Sequence, residues 1–121
     1  MLSFPSSVRI YLCTRPADLR RSFDGLAALT QEVIGQNPLS GHWFVFRNRR
    51  GDRMKILVWD RTGYCVWYKR LEAGTFRFPA AAADSVEVEV SDLALILEGM
   101  DRVGVSRRKR YGLPVPVRVA E

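Results

Sequence analysis

Two turn signals decide most of what this chain can fold into. Arg50-Gly51 suits a tight hairpin, because glycine accepts the positive φ such a loop needs, and Asp60-Arg61-Thr62-Gly63 supplies a second turn. The runs they separate, residues 43–48, 54–59 and 64–70, are rich in Trp, Phe, Tyr, Val and Ile, as strands are. Together they predict an antiparallel β-meander. With loops at Arg50-Gly51 and Arg61-Thr62, Phe46 opposes Lys55, Phe44 opposes Leu57, Leu57 opposes Val66 and Lys55 opposes Tyr68. One face then carries Phe44, Phe46, Lys55, Leu57, Trp59, Tyr64, Val66 and Tyr68. The other carries Trp43, Val45, Arg47, Met54, Ile56, Val58, Cys65, Trp67 and Lys69. Both faces are apolar and aromatic, so each needs cover from the rest of the chain or from a partner.

The flanking segments supply candidates for that cover. Residues 8–14 alternate Val8, Ile10 and Leu12 with Arg9, Tyr11 and Cys13, the pattern of a half-buried strand. Residues 16–34 place Leu19, Phe23, Leu26, Ala27, Thr30, Val33 and Ile34 at helical spacing, with Pro16 in the first turn and Gly35 ending the run. Gly25 inside that helix costs on the order of 1 kcal/mol relative to Ala and suggests a close contact with the sheet. After a loop at residues 35–41 and the meander, residues 75–78 suggest a short strand, and residues 79–84 a connector. Val86, Val88 and Val90 alternate with Glu87 and Glu89, whose acidic face should meet water or a basic neighbour. Ser91 is the expected N-cap of a short helix with Leu93, Ile96, Leu97 and Met100 on its apolar face. The expectation is therefore one α+β domain over residues 1–104, an antiparallel meander with one long helix packed on it and a short C-terminal helix. Residues 105–121, with Arg107, Arg108, Lys109 and Arg110 ahead of Pro114 and Pro116, are expected as a mobile basic tail.

At 121 residues the chain suits a single core. No apolar run approaches the roughly 20 residues of a membrane span, and no signal-peptide pattern opens the sequence, so a cytoplasmic protein is expected. Cys13 and Cys65 lie in apolar runs without Cys or His at metal spacing, and are expected as buried free thiols. Lys and Arg number 19 against 13 Asp and Glu, a net charge of +6 that favours a polyanionic partner or an anionic membrane surface. Residues 47–70 hold eight basic side chains against Asp52 and Asp60, so this window alone equals the whole excess.

Those cations, Arg47, Arg49, Arg50, Arg53, Lys55, Arg61, Lys69 and Arg70, are the candidate nucleic-acid contacts. Arg107, Arg108, Lys109 and Arg110 form a second cluster, as though a body and an arm gripped one polyanion. Phe44, Phe46, Trp59, Tyr64 and Tyr68 are the candidates for a base-stacking or partner face, since π-faces hold bases while neighbouring cations hold phosphates. The competing reading makes the aromatics core and the arginines a solvated surface. A metal-dependent nuclease needs converging carboxylates. Asp18 and Asp24 are separated by about 240° of rotation around a helix axis and so face different ways, and Asp52 and Asp60 end one strand about 26 Å apart, leaving only a mixed pairing between those two sets. His42, in a loop, has no nucleophile motif around it and reads as a turn or surface residue. No catalytic residue, metal or cofactor is assigned.

Residues 44–60, FVFRNRRGDRMKILVWD, continue through Gly63, WYKRLE at 67–72, Gly74 and FRFP at 76–79. With RRSFDGL at 20–26 and LEGM at 97–100, they resemble the small accessory TnpB family of IS66 insertion sequences over about residues 8–102. That family is unrelated to the RNA-guided nuclease sharing the TnpB name. The resemblance implies a protein acting beside a separate, larger transposase of the same element, with no defined reaction and no catalytic residues to carry over. Two physical roles stay open: a non-catalytic factor binding element DNA, or an adaptor that binds the transposase with little DNA contact. The first predicts steep salt dependence, and the second an interface that survives salt. Oligomeric state is left open.

Overall fold

The computed structural model describes residues 7–99. Among them are five strands, β1 (Ile10–Cys13), β2 (Trp43–Arg47), β3 (Arg53–Trp59), β4 (Tyr64–Arg70) and β5 (Ser85–Val88). Helix α1 (Phe23–Leu29) runs directly into a π-helical turn (Thr30–Ile34), and α2 (Val90–Leu97) closes the described chain. The sheet order is β4-β3-β2-β1-β5.

The meander forms in the register expected from its turns, with Phe46 opposite Lys55, Phe44 opposite Leu57, Leu57 opposite Val66 and Lys55 opposite Tyr68. The expected architecture around it is corrected in two respects. The sheet is mixed, because β1 pairs parallel to β2 across the α1 connection and antiparallel to β5. No long helix packs on it: α1 has seven residues and its π-helical extension five, while α2 has eight.

Residues 16–22 stay out of the helix because their backbone donors find other partners. The Asp18 carboxylate accepts the Arg20 N–H at 3.0 Å, and the Arg21 N–H donates to Asp18 O at 3.1 Å, a local turn that competes with helix nucleation. At the far end, Gly35 N–H reaches back five residues to Thr30 O at 2.8 Å and takes a positive φ of 79°, which stops the helix. Gly25 is tight against Arg21 and not the sheet, since a Cβ there would lie 2.8 Å from Arg21 Cβ.

Both sheet faces are covered. On one, Leu19, Leu26 and Ile34 pack with Phe44, Phe46 and Leu57. On the other, Leu93 and Ile96 of α2 and Phe76 pack with Ile10, Leu12, Val45, Met54 and Ile56. Residues 75–78 form no strand; instead Phe76 is pinned by its N–H to Gly51 O at 2.7 Å and buried as a plug. The α2 N-cap is Glu89 where Ser91 was expected, its N–H donating to Asp92 Oδ2 at 3.0 Å. Glu87 meets a basic neighbour as expected, 2.9 Å from Arg9 Nη1. Cys13 is buried and free, its thiol pushed up by burial, whereas Cys65 is free but exposed, against the expectation, because β4 is an edge strand.

Candidate nucleic-acid interface

The β2–β3 turn is organised by one side chain. Asn48 Oδ1 accepts the N–H groups of Gly51 and Arg53, each at 3.0 Å, and Asn48 Nδ2 donates to Asp52 Oδ1 at 2.8 Å. Gly51 N–H also reaches Asn48 O at 3.0 Å, and Gly51 holds a φ of 80° that a side-chain-bearing residue resists. Arg49 and Arg50 therefore occupy the central positions of a rigid turn, where both are exposed and neither forms an ion pair among the described residues. The Asn48 hydrogen bond holds the Asp52 carboxyl below its usual range.

Facing this turn is the segment of residues 16–20, tied to the sheet by Ala17 N–H donating to Arg47 O at 2.9 Å. Between them lies an open cleft of ≈ 620 Å³, with Pro16, Ala17 and Leu19 on one wall, Arg49, Arg50 and Arg53 on the other, and Tyr68 contributing to the lining. Arg53 Nη1 donates to the Tyr68 hydroxyl at 2.7 Å. Lys55 Nζ sits 4.9 Å from the Tyr68 ring centroid and donates to Arg21 O at 2.9 Å. Arg20 also lines the cleft, but its charge is compensated by Asp18, 2.7 Å away, whose carboxyl the Arg20 hydrogen bonds hold down at about 2. Among the described residues, the cations of the lining without a carboxylate partner at contact distance are Arg49, Arg50 and Arg53.

Of the cations expected to bind, Arg49, Arg50, Arg53 and Lys55 are brought together at this end of the sheet. Arg70 pairs opposite Arg53 in the sheet and is itself bound to Glu72 at 2.6 Å. Three others are placed elsewhere. Arg47 is half-buried, its guanidinium 4.6 Å from the Phe78 ring and Nη2 3.2 Å from Thr14 O, and burial lowers its pKa. Lys69 Nζ donates to Leu97 O at 2.8 Å, at the end of α2. Arg61, with φ 53°, lies in the turn beyond the opposite end of β3. Arg107, Arg108, Lys109 and Arg110 lie outside the described residues.

The aromatic candidates divide the same way. Phe44 and Phe46 are 0% exposed, which removes both from any stacking face, because helix α1 covers them. Trp59 and Tyr64 pack edge to face at 5.1 Å, half-buried at the Arg61 end. Only Tyr68, 48% exposed, stands in the cleft. Arg20 and Arg21 were missed as site residues. The signal for them was Asp18 two residues before Arg20, the spacing of a side-chain-capped turn that delays the start of the helix. His42 Nδ1 accepts the Arg9 backbone N–H at 3.0 Å, tying the loop before β2 to the residue ahead of β1. Among the described residues no three of His, Cys, Asp and Glu gather at metal-binding distance.

No helix among the described residues is long and apolar enough to cross a membrane. Two proteins of Sinorhizobium fredii (strain NBRC 101917 / NGR234) are similar to the chain. Uncharacterized protein y4hO is 38% identical over 101 residues, covering 84% of this chain and 88% of that protein. Uncharacterized protein y4jC is 33% identical over 108 residues, covering 89% and 92% respectively. No solved structure matches the chain. The family model described as IS66 Orf2 like protein matches residues 8–107, a span that takes in both walls of the cleft and every described strand, and the chain belongs to that insertion-sequence family.

Proposed function

We propose that the chain is a non-catalytic nucleic-acid-binding factor of transposition, acting in the cytoplasm beside a separate transposase of its element and gripping DNA phosphates with the β2–β3 turn. One observation carries this reading: Arg49, Arg50 and Arg53 converge on a single open cleft with no carboxylate partner at contact distance among the described residues. Like charges held this close repel, and phosphate oxygens relieve that repulsion. The basic run at residues 107–110 adds a second set of phosphate contacts in the same reading.

The test is a duplex-binding titration across a salt series, with wild type against Arg49→Gln/Arg50→Gln/Arg53→Gln. Glutamine keeps polarity and removes charge from three side chains on the turn and strand rim, so the fold is conserved. The log–log salt slope should become shallower by about 0.9 for each phosphate contact removed. Unchanged slope and affinity would refute the DNA reading. The charged turn would then face the transposase, as an adaptor would.

A further inference from the structure

We infer that the cleft takes single-stranded DNA, seating one unstacked base against Tyr68 while the turn arginines hold the flanking phosphates; the inference rests on the nucleic-acid reading above. Phosphate binding alone needs only cations on an accessible surface. This site has more, because the cleft that Arg49, Arg50 and Arg53 line is also lined by the apolar groups of Pro16, Ala17 and Leu19 and by Tyr68. An apolar recess lined by an aromatic ring and rimmed with cations is what an exposed base with its phosphate requires. Its ≈ 620 Å³ is on the scale of a small-molecule site, about 300–1,000 Å³. A double helix keeps its base faces stacked and offers only phosphates and groove edges, so it leaves the Tyr68 recess unused.

The ring is also preorganised. Arg53 Nη1 holds its hydroxyl at 2.7 Å, and Lys55 Nζ, fixed on Arg21 O, sits 4.9 Å from the ring centroid. Little side-chain freedom remains to be lost when a base stacks, while nearly half of the residue's surface is open to receive one.

The experiment uses the full chain at one salt concentration with three labelled probes of equal length: an oligo-dT strand, the same strand carrying abasic sites, and a random-sequence duplex. Wild type should bind the oligo-dT strand more tightly than the duplex and lose affinity for the abasic strand. Tyr68→Ala should weaken oligo-dT binding roughly 5- to 150-fold more than it weakens abasic or duplex binding, the range for loss of one stacked base, with any loss common to all three probes coming from the released Arg53. Tyr68→Phe keeps the ring, guards against misfolding of the alanine variant, and should retain most of the oligo-dT affinity. Duplex binding tighter than oligo-dT, or equal losses on the dT and abasic strands in Tyr68→Ala, would overturn the single-strand assignment while leaving phosphate binding intact. Failure of all three probes to bind would remove the parent reading and this one together.

Discussion

Asp18 is the one carboxylate among the described residues lining the cleft, and its position makes it a brake on anion binding. Its oxygens accept from Arg20 Nε at 3.0 Å and Nη2 at 2.7 Å, so Arg20 carries its charge into the cleft already compensated. Both side chains are largely exposed, so the pair adds little to stability, and its effect falls on the ligand. Asp18→Asn keeps an acceptor for the Arg20 N–H and removes the charge. It should raise DNA affinity and steepen the salt slope by up to about 0.9, one further phosphate contact; an unchanged slope would place Arg20 outside the interface. Acid does not mimic the substitution between pH 7 and 4. A carboxyl held at about 2 stays charged across that range and releases Arg20 only as the pH falls through 2. The number of cations at this end of the sheet was readable from composition, but their pairing was not. Nothing local to Arg47 signals that its guanidinium lies over Phe78, thirty-one positions downstream, or that its Nη2 bonds Thr14 O.

At the scale of elements, the meander was legible and its surroundings were not. Alternating aromatics between two turn signals fix pairing and register through contacts close in sequence, which is why Phe46 meets Lys55 and Lys55 meets Tyr68 as expected. The parallel pairing of Ile10 with Trp43 and the antiparallel pairing of Ile10 with Val88 join segments far apart in the chain, and no local pattern announces them. The helix was overextended because Leu19 keeps helical spacing with Phe23 and Leu26, while the Asp18 side chain captures the backbone donor that a helix would need. Helix α1 also yields a prediction against propensity. Gly25→Ala favours helix by up to about 1 kcal/mol, yet the new Cβ would lie 2.8 Å from Arg21 Cβ, an atom fixed to the backbone that cannot swing away like a side-chain tip. The steric term should win, lowering the melting temperature and displacing Arg21, whose carbonyl anchors Lys55 beside Tyr68. A raised melting temperature would show that the start of α1 adjusts freely.

Across the described residues, the positive charge is sorted by what already compensates it. Arg9 binds Glu87 and Arg15 binds Asp84 beside β5, while Lys69 caps the Leu97 carbonyl of α2. Arg49, Arg50 and Arg53 stand at one end of β3, and Arg61 beyond the other. With seven residues in β3 at about 3.3 Å each, Arg61 is on the order of 20 Å from the turn, about two screening lengths at physiological salt. This separation distinguishes a local grip from a diffuse positive field. Arg61→Gln and Arg50→Gln each remove one charge from an exposed turn, so they lower net charge equally. If the cleft is the interface, Arg50→Gln makes the salt slope shallower by about 0.9 while Arg61→Gln leaves it unchanged. Equal reductions in the two variants would mean that net charge, not the Asn48-braced turn, governs binding. Glutamine at position 61 keeps a side chain on the φ of 53°, so the Arg61 turn carries the same backbone strain in both proteins and the comparison isolates charge.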